Sequence, residues 1–99
     1  MRIKILRSAQ EDLAAGRRFY EGNSQGIGDY FIDSLFSDIE SPINAGVQAI
    51  HFGKYQRLLS KRFPFAIYYR VEDEVIYVYA VLDCRRSPAW QRNKLSKIS

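Results

Sequence analysis

The 99-residue sequence is short of the residues on which many chemistries depend: one cysteine, one histidine, one tryptophan and three prolines. With Cys84 alone, no disulfide forms within the chain, so packing or a partner must supply the stability. Cys84 is expected to be a small buried hydrophobe rather than a reactive thiol. A zinc site of the usual Cys/His composition cannot be assembled from Cys84 and His51, and no metal is expected. A hydrolytic triad would rest on His51 as its only imidazole, and no nucleophile motif lies near it. The longest unbroken apolar run, Val75 to Leu82, is eight residues, whereas a membrane-crossing helix takes about 20. The opening residues Met1-Arg2-Ile3-Lys4-Ile5-Leu6-Arg7 interrupt any apolar stretch of the kind a secretory signal needs, so a cytoplasmic location is expected. No Gly-rich loop follows a strand, which leaves nucleotide hydrolysis without support. Internal repeats, sustained heptads and low-complexity segments are also lacking.

What is present is one small domain, residues 1–99, with 46% hydrophobic and 14% aromatic residues. A chain of this size buries only about 60–65% of the surface its unfolded form exposes. That leaves little room for a deep pocket, and no cofactor is expected. The formal charge is +4, unevenly placed. Residues 1–50 carry five basic and seven acidic side chains, whereas residues 51–99 carry ten basic and four acidic. The positive field therefore belongs to the second half, through Lys54, Arg57, Lys61, Arg62, Arg70, Arg85, Arg86, Arg92, Lys94 and Lys97. Its partners would be polyanions or an acidic protein segment, and a solvated basic surface is the plain alternative.

Along the chain, Ile3, Ile5 and Leu6 among Arg2, Lys4 and Arg7 predict an edge strand guarded by charge. Ser8 and Glu11 form a capping box, placing a helix over 9–21, stopped by Gly22-Asn23. Ile27, Tyr30, Phe31, Leu35, Phe36 and Ile39 recur at three and four, so a second helix begins at Ile27 and ends or kinks where Ser41 precedes Pro42. The short link between them implies an antiparallel helical hairpin. After a loop around Gly46 and Gly53, strands are expected over Gln56–Ser60, Phe65–Val71 and Val75–Leu82. The last is apolar throughout, as suits a central strand covered on both faces. Pro88 then opens a short helix that carries Trp90. The predicted fold class is α+β: an N-terminal helical hairpin packed on a small antiparallel sheet, with a short C-terminal helix.

Five segments in this order carry a resemblance: Asp12-Leu13; Phe19-Tyr20-Glu21; Gly28-Asp29-Tyr30-Phe31; Arg62-Phe63-Pro64-Phe65-Ala66-Ile67-Tyr68-Tyr69; and Ala80-Val81-Leu82-Asp83-Cys84-Arg85-Arg86-Ser87-Pro88-Ala89-Trp90. The chain resembles, over essentially its whole length, the RelE/ParE superfamily of type II toxins, which includes toxins of plasmid-stabilisation systems. The resemblance implies a bacterial, growth-inhibiting toxin paired with a cognate antitoxin. RelE-like members cut messenger RNA in the ribosome, whereas ParE-like members inhibit DNA gyrase.

Residues weigh between these two. Cleavage needs a group to activate a 2′-hydroxyl, a cation for the phosphorane and a donor for the leaving oxygen. Arg57 and Arg85 align with basic residues of RelE-like enzymes. By the same alignment Leu59 replaces a lysine, Ala66 an arginine and Gln91 a late tyrosine, and Asp83 stands where histidine is common. Tyr68, Tyr69, Tyr77 or Tyr79 could substitute for the missing tyrosine, although each also fits as an ordinary sheet residue. The resemblance therefore points to a ParE-like toxin that binds a macromolecular target such as DNA gyrase, and not to a conventional enzyme. The alternatives are a ribosome-dependent endoribonuclease using Arg57, Arg62 and Arg85, and an inactivated toxin that only binds its antitoxin. Arg62, Arg85, Arg86 and Trp90 are the expected target- or antitoxin-binding residues, because guanidiniums at the ends of neighbouring strands present planar forks to phosphate or carboxylate. The structural alternatives are that one arginine pairs with Asp83 or Glu40 and that Trp90 anchors the last helix to the sheet.

Overall fold

The computed structural model describes residues 2–40, 50–52 and 54–98. The chain runs β1 (Arg2–Ile5), α1 (Arg7–Asn23), α2 (Ile27–Glu40), β2 (Ile50–Phe52), β3 (Tyr55–Leu59), β4 (Phe65–Glu72), β5 (Val75–Asp83) and α3 (Pro88–Ser96). The strands form one sheet in the order β1-β5-β4-β3-β2. This is the expected α+β arrangement, with β1 at one edge. The sheet is antiparallel from β2 to β5, but β1 lies parallel to β5, pairing Ile3 with Ile76 and Ile5 with Val78. Between those two strands stand the whole hairpin and three other strands, so no tight turn dictates their direction, and a long crossover permits a parallel pair. The three-residue β2 went unforeseen because so short a segment carries no periodicity; its residues Ile50–Phe52 pair with Arg57, Gln56 and Tyr55. Pro42, and the loop expected around Gly46 and Gly53, lie outside the described residues.

One face of the sheet is closed by the hairpin. Ala9 and Leu13 of α1 and Phe31, Leu35 and Ile39 of α2 pack on Phe65, Ile67, Tyr69, Ile76, Val78 and Val81. Phe63 and Phe65 both turn toward this side, with Pro64 exposed between them. Their rings stand 5.1 and 5.0 Å from that of Phe31, which accounts for the Phe-Pro-Phe sequence. The two helices approach closely at Gly16, where an added Cβ would lie 2.6 Å from the Phe31 ring.

The helix ends differ from the capping signals. Ser8 and Glu11 form no capping box: α1 begins at Arg7, with Leu6 as its uncapped N-cap. The Ser8 hydroxyl instead donates to the Tyr79 carbonyl at 2.6 Å, a partner 71 residues away that no local pattern could identify. Nor is Gly22-Asn23 a left-handed stop: α1 runs through Asn23, and the positive φ falls at Gly26. Glu21 governs that link, its carboxylate accepting from the backbone N–H of Gly26 at 3.1 Å and of Gly28 at 2.9 Å. An acid there satisfies free amides at the start of α2 and complements its dipole.

A bulge in β5 decides which residues face which layer. Tyr68 pairs with Ala80 and Tyr69 with Val78, leaving Tyr79 as an extra residue. The alternation therefore shifts: Val78 and Val81 enter the hairpin core, while Ala80 and Leu82 join Tyr55, Ala66, Tyr68 and Leu95 on the other face. The uniformly apolar run thus supplies both cores. Past the end of β1, side chains of α1 continue the pairing along β5: Ser8 takes the Tyr79 carbonyl and Asp12 accepts the Val81 N–H at 3.0 Å.

Candidate functional site

The face of the sheet away from the hairpin is partly covered by α3. Ser87 caps that helix by accepting from the Trp90 N–H at 3.2 Å, and Pro88 occupies its first turn, as the sequence predicts. Leu95, Trp90 and Ile98 pack against Tyr55, Ala66, Tyr68, Ala80 and Leu82. A polar seam crosses this small core. Arg57 of β3 stands opposite Tyr68 and donates through Nε to its hydroxyl at 3.1 Å. The Tyr68 hydroxyl donates to Oε1 of Gln91 at 2.8 Å, and Nε2 of Gln91 donates to the Arg86 carbonyl at 3.1 Å. Arg57 also reaches the Cys84 sulfur at 3.6 Å. Each group satisfies the next, as burial requires.

This environment works against proton transfer. Tyr68 is 0% exposed, and burial pushes its phenol upward, countered in part by Arg57. Burial likewise raises the Cys84 thiol despite the nearby Arg57. Cys84 is half-buried rather than sunk in the core. Tyr69 lies in the opposite, hairpin core, while Tyr77 and Tyr79 are half-buried along β5, the ring of Tyr79 standing 5.0 Å from that of Tyr55.

The ends of β4 and β5 meet at the backbone, where Cys84 N–H donates to the Pro64 carbonyl at 2.8 Å. The arginines nevertheless go separate ways. Arg85 closes on Asp83 with two side-chain bonds of 3.0 and 2.8 Å. That pairing holds the Asp83 carboxyl below its ordinary range and is the structural alternative raised for Asp83. The Arg85 guanidinium also stands 5.9 Å from the Phe19 ring. Arg86 lies 4.4 Å from the Trp90 ring centre, with Lys94 at 5.8 Å. Arg62 is exposed in the turn before β4, without an ion pair among the described residues. Arg85, Arg86 and Trp90 therefore share one end of the molecule with Phe19, and Arg57 belongs to the buried seam. Trp90 both anchors α3 and remains half-exposed.

Several contributors escaped the sequence reading. Asp38, buried in α2, accepts from the Ser60 hydroxyl at 2.7 Å and the Lys61 N–H at 3.3 Å, holding the turn that carries Arg62. Its one signal was an acid on the apolar stripe, next to Ile39. Asp12 sits four residues after Ser8, on the same side of α1. Burial raises its carboxyl to about 6, opposed by the Val81 N–H and by Lys94. Among the described residues, no three His, Cys, Asp or Glu side chains converge to hold a metal, and no helix is long and apolar enough to cross a membrane.

No protein-family description matches this sequence, and no curated protein does. Solved structures do match. A chain from the chromosomal ParDE TA system of P. aeruginosa superposes with a TM-score of 0.66 at 19% identity, covering 82% of this chain and 92% of its own length. The isolated E. coli RelE toxin superposes with a TM-score of 0.53 at 15% identity, over 99% of this chain and 98% of that one. The fold is therefore that of the RelE/ParE toxins.

Proposed function

We propose that this chain is the toxin of a type II toxin–antitoxin system, restrained by a cognate antitoxin, acting in the cytoplasm in the ParE-like manner by binding a macromolecular target such as DNA gyrase. Its fold, shared with structures of a ParDE system and of RelE, supports the toxin class. The ParE-like choice rests on one observation: Leu59, Ala66 and Gln91, which stand where RelE-like enzymes carry a lysine, an arginine and a tyrosine, offer no group that moves protons. Leu59 is 55% exposed and Ala66 is buried, neither with a titratable atom. Gln91 is engaged with Tyr68, whose hydroxyl is itself buried between Arg57 and Gln91. Arg85, Arg86 and Trp90 suit recognition better than reaction, since arginine and tryptophan dominate binding surfaces.

Inducible expression in a bacterial host, following growth, DNA supercoiling and transcript integrity in one culture, tests this reading. Loss of supercoiling before any transcript loss is expected. Early cleavage of ribosome-bound messages would overturn it in favour of an endoribonuclease using Arg57, Arg62 and Arg85. Absence of growth inhibition would leave the antitoxin-binding module. The double substitution Arg85→Ala, Arg86→Ala should abolish growth inhibition while the far-ultraviolet circular dichroism stays unchanged; a fully toxic double variant would remove the basic end from the mechanism.

A further inference from the structure

The inner residues of α3, Trp90, Leu95 and Ile98, pack on the sheet. Toward α1 the helix borders two clefts, one of about 450 Å³ that reaches from Leu6 to Ile98 and one of about 290 Å³ that reaches from Gly16 to Trp90. Asp12, Leu82 and Lys94 line both, so they mark the boundary between the two. Asp12 is half-buried there. Its Oδ2 accepts the Val81 N–H at 3.0 Å, its other oxygen has no hydrogen bond among the described residues, and it makes no ion pair among them. The surrounding charges leave it poorly compensated. On α1, Glu11 is paired with Arg7 at 3.5 Å. From β5, Tyr79 faces the larger cleft and Asp83, paired with Arg85, faces the smaller. Arg86, after β5, lies over the Trp90 ring. From α3 come Lys94, which opposes the carboxylate's charge without closing on it, and Lys97 in the larger cleft. A carboxylate with one hydrogen bond and no ion pair is disfavoured wherever water is drawn away from it.

We propose that Asp12 is a proton-operated latch for α3: with the carboxyl neutral the helix stays closed on the sheet, and ionisation favours its lifting, which joins the two clefts to solvent and hydrates the carboxylate. Asp12 and Val81 belong to α1 and β5, so their hydrogen bond survives the motion. Lys94 works against release, because its attraction to the carboxylate is lost when the helix lifts. Burial outweighs that attraction, raising the carboxyl to about 6 from 3.8. The closed state therefore holds the proton between those values, so closure is strongest below about 4 and weakens as pH rises through about 6. Lifting would break the bond from the Tyr68 hydroxyl to Gln91 and displace Trp90, so the latch governs the basic end whatever that end binds.

Trp90 is the only tryptophan, so its emission follows α3, while far-ultraviolet circular dichroism follows the whole fold. Both are recorded during urea unfolding of the full chain at about pH 5 and about pH 7.5. At the higher pH the Trp90 midpoint is expected to fall further below the far-ultraviolet midpoint, by an amount equal to about tenfold weaker closure, since one pH unit between the closed and lifted carboxyl is a factor of ten. Asp12→Asn keeps an acceptor for the Val81 N–H but cannot ionise, so it should show the smaller separation at both pH values. Lys94→Gln removes the opposing cation from a half-exposed position and should enlarge the pH response. This second variant tests the latch even where Asp12→Asn perturbs the fold. Midpoints that move together with pH, or a pH response that persists in Asp12→Asn, would overturn the proposal. So would closure that strengthens at the higher pH and loses that gain in Lys94→Gln, which would make Asp12 and Lys94 an electrostatic tie.

Discussion

The two faces of the sheet are built to different specifications. The hairpin face meets its helices mostly through apolar side chains, with Phe31, Leu35 and Ile39 of α2 set against three residues from each of β4 and β5, beside the separate hydrogen bonds that Ser8, Asp12 and Asp38 make to β5 and to the turn after β3. The α3 face has a smaller apolar core, crossed by hydrogen bonds from Arg57 through Tyr68 to Gln91. Its covering helix spans only nine residues. Apolar burial drives folding roughly in proportion to area, whereas a satisfied polar seam adds little net stability but fixes geometry. The hairpin face therefore holds the fold together, and the α3 face positions the basic end where Arg85, Arg86 and Trp90 are displayed.

The largest expected effect lies on the hairpin face. Phe31→Ala empties a fully buried site among Tyr20, Phe63 and Phe65 and should cost about 3–5 kcal/mol, measured by urea unfolding with every probe moving together. On the other face, Leu95→Ala should cost about 2 kcal/mol, near the lower end for a buried leucine. Here the probes should separate, Trp90 emission changing at lower urea than the far-ultraviolet signal as α3 detaches first. Coincident transitions would erase the contrast between the faces.

Asp12 tests the boundary between α1 and β5. Its carboxyl titrates at about 6 in the fold against 3.8 ordinarily, because burial disfavours the charge. The folded state thus binds more protons between those values, so this contribution is fully present below about 4 and is lost as pH rises through about 6. The partial exposure of Asp12 limits the amount to on the order of 1 kcal/mol. Asp12→Asn keeps an acceptor for the Val81 N–H and should flatten the stability profile across that window; an unchanged slope would assign the titration elsewhere. The smallest effect is expected at the β4–β5 turn, where Asp73 and Glu74 have φ of 50° and 63°. Glycine relieves the steric cost of that conformation, so Glu74→Gly should gain about 0.5–1 kcal/mol, read as a small rise in the unfolding midpoint.

Much of the architecture was legible because it rests on local periodicity. The three-and-four spacing from Ile27, the alternation from Phe65 and the Pro88 helix start all describe elements whose burial pattern repeats within a few residues. The capping box failed for the same reason that it looked convincing: Ser8 and Glu11 have the right spacing, but Ser8 finds a stronger claim on it in the Tyr79 carbonyl. The bulge at Tyr79 was invisible because a run without polar residues carries no alternation to interrupt. Of the site, Lys94 beside Trp90 follows from helical spacing, whereas Arg86, which precedes α3, is brought against Trp90 by the turn after β5. The closure of Arg85 on Asp83 was foreseen only as one alternative, and Phe19 joined the same end only through the packing of α1 along β5.

By itself, the sequence determined the order of the helices and of every strand but the short β2, and the concentration of positive charge in the second half, since composition and short-range spacing set both. Only the tertiary structure decided which arginines remain available, which tyrosines are shut away and where Asp12 and Asp38 do their work. The tyrosine and aspartate outcomes depend on partners tens of residues distant, Gln91 for Tyr68, Val81 for Asp12 and Ser60 for Asp38, and side-chain chemistry at one position does not specify what the fold will bring against it.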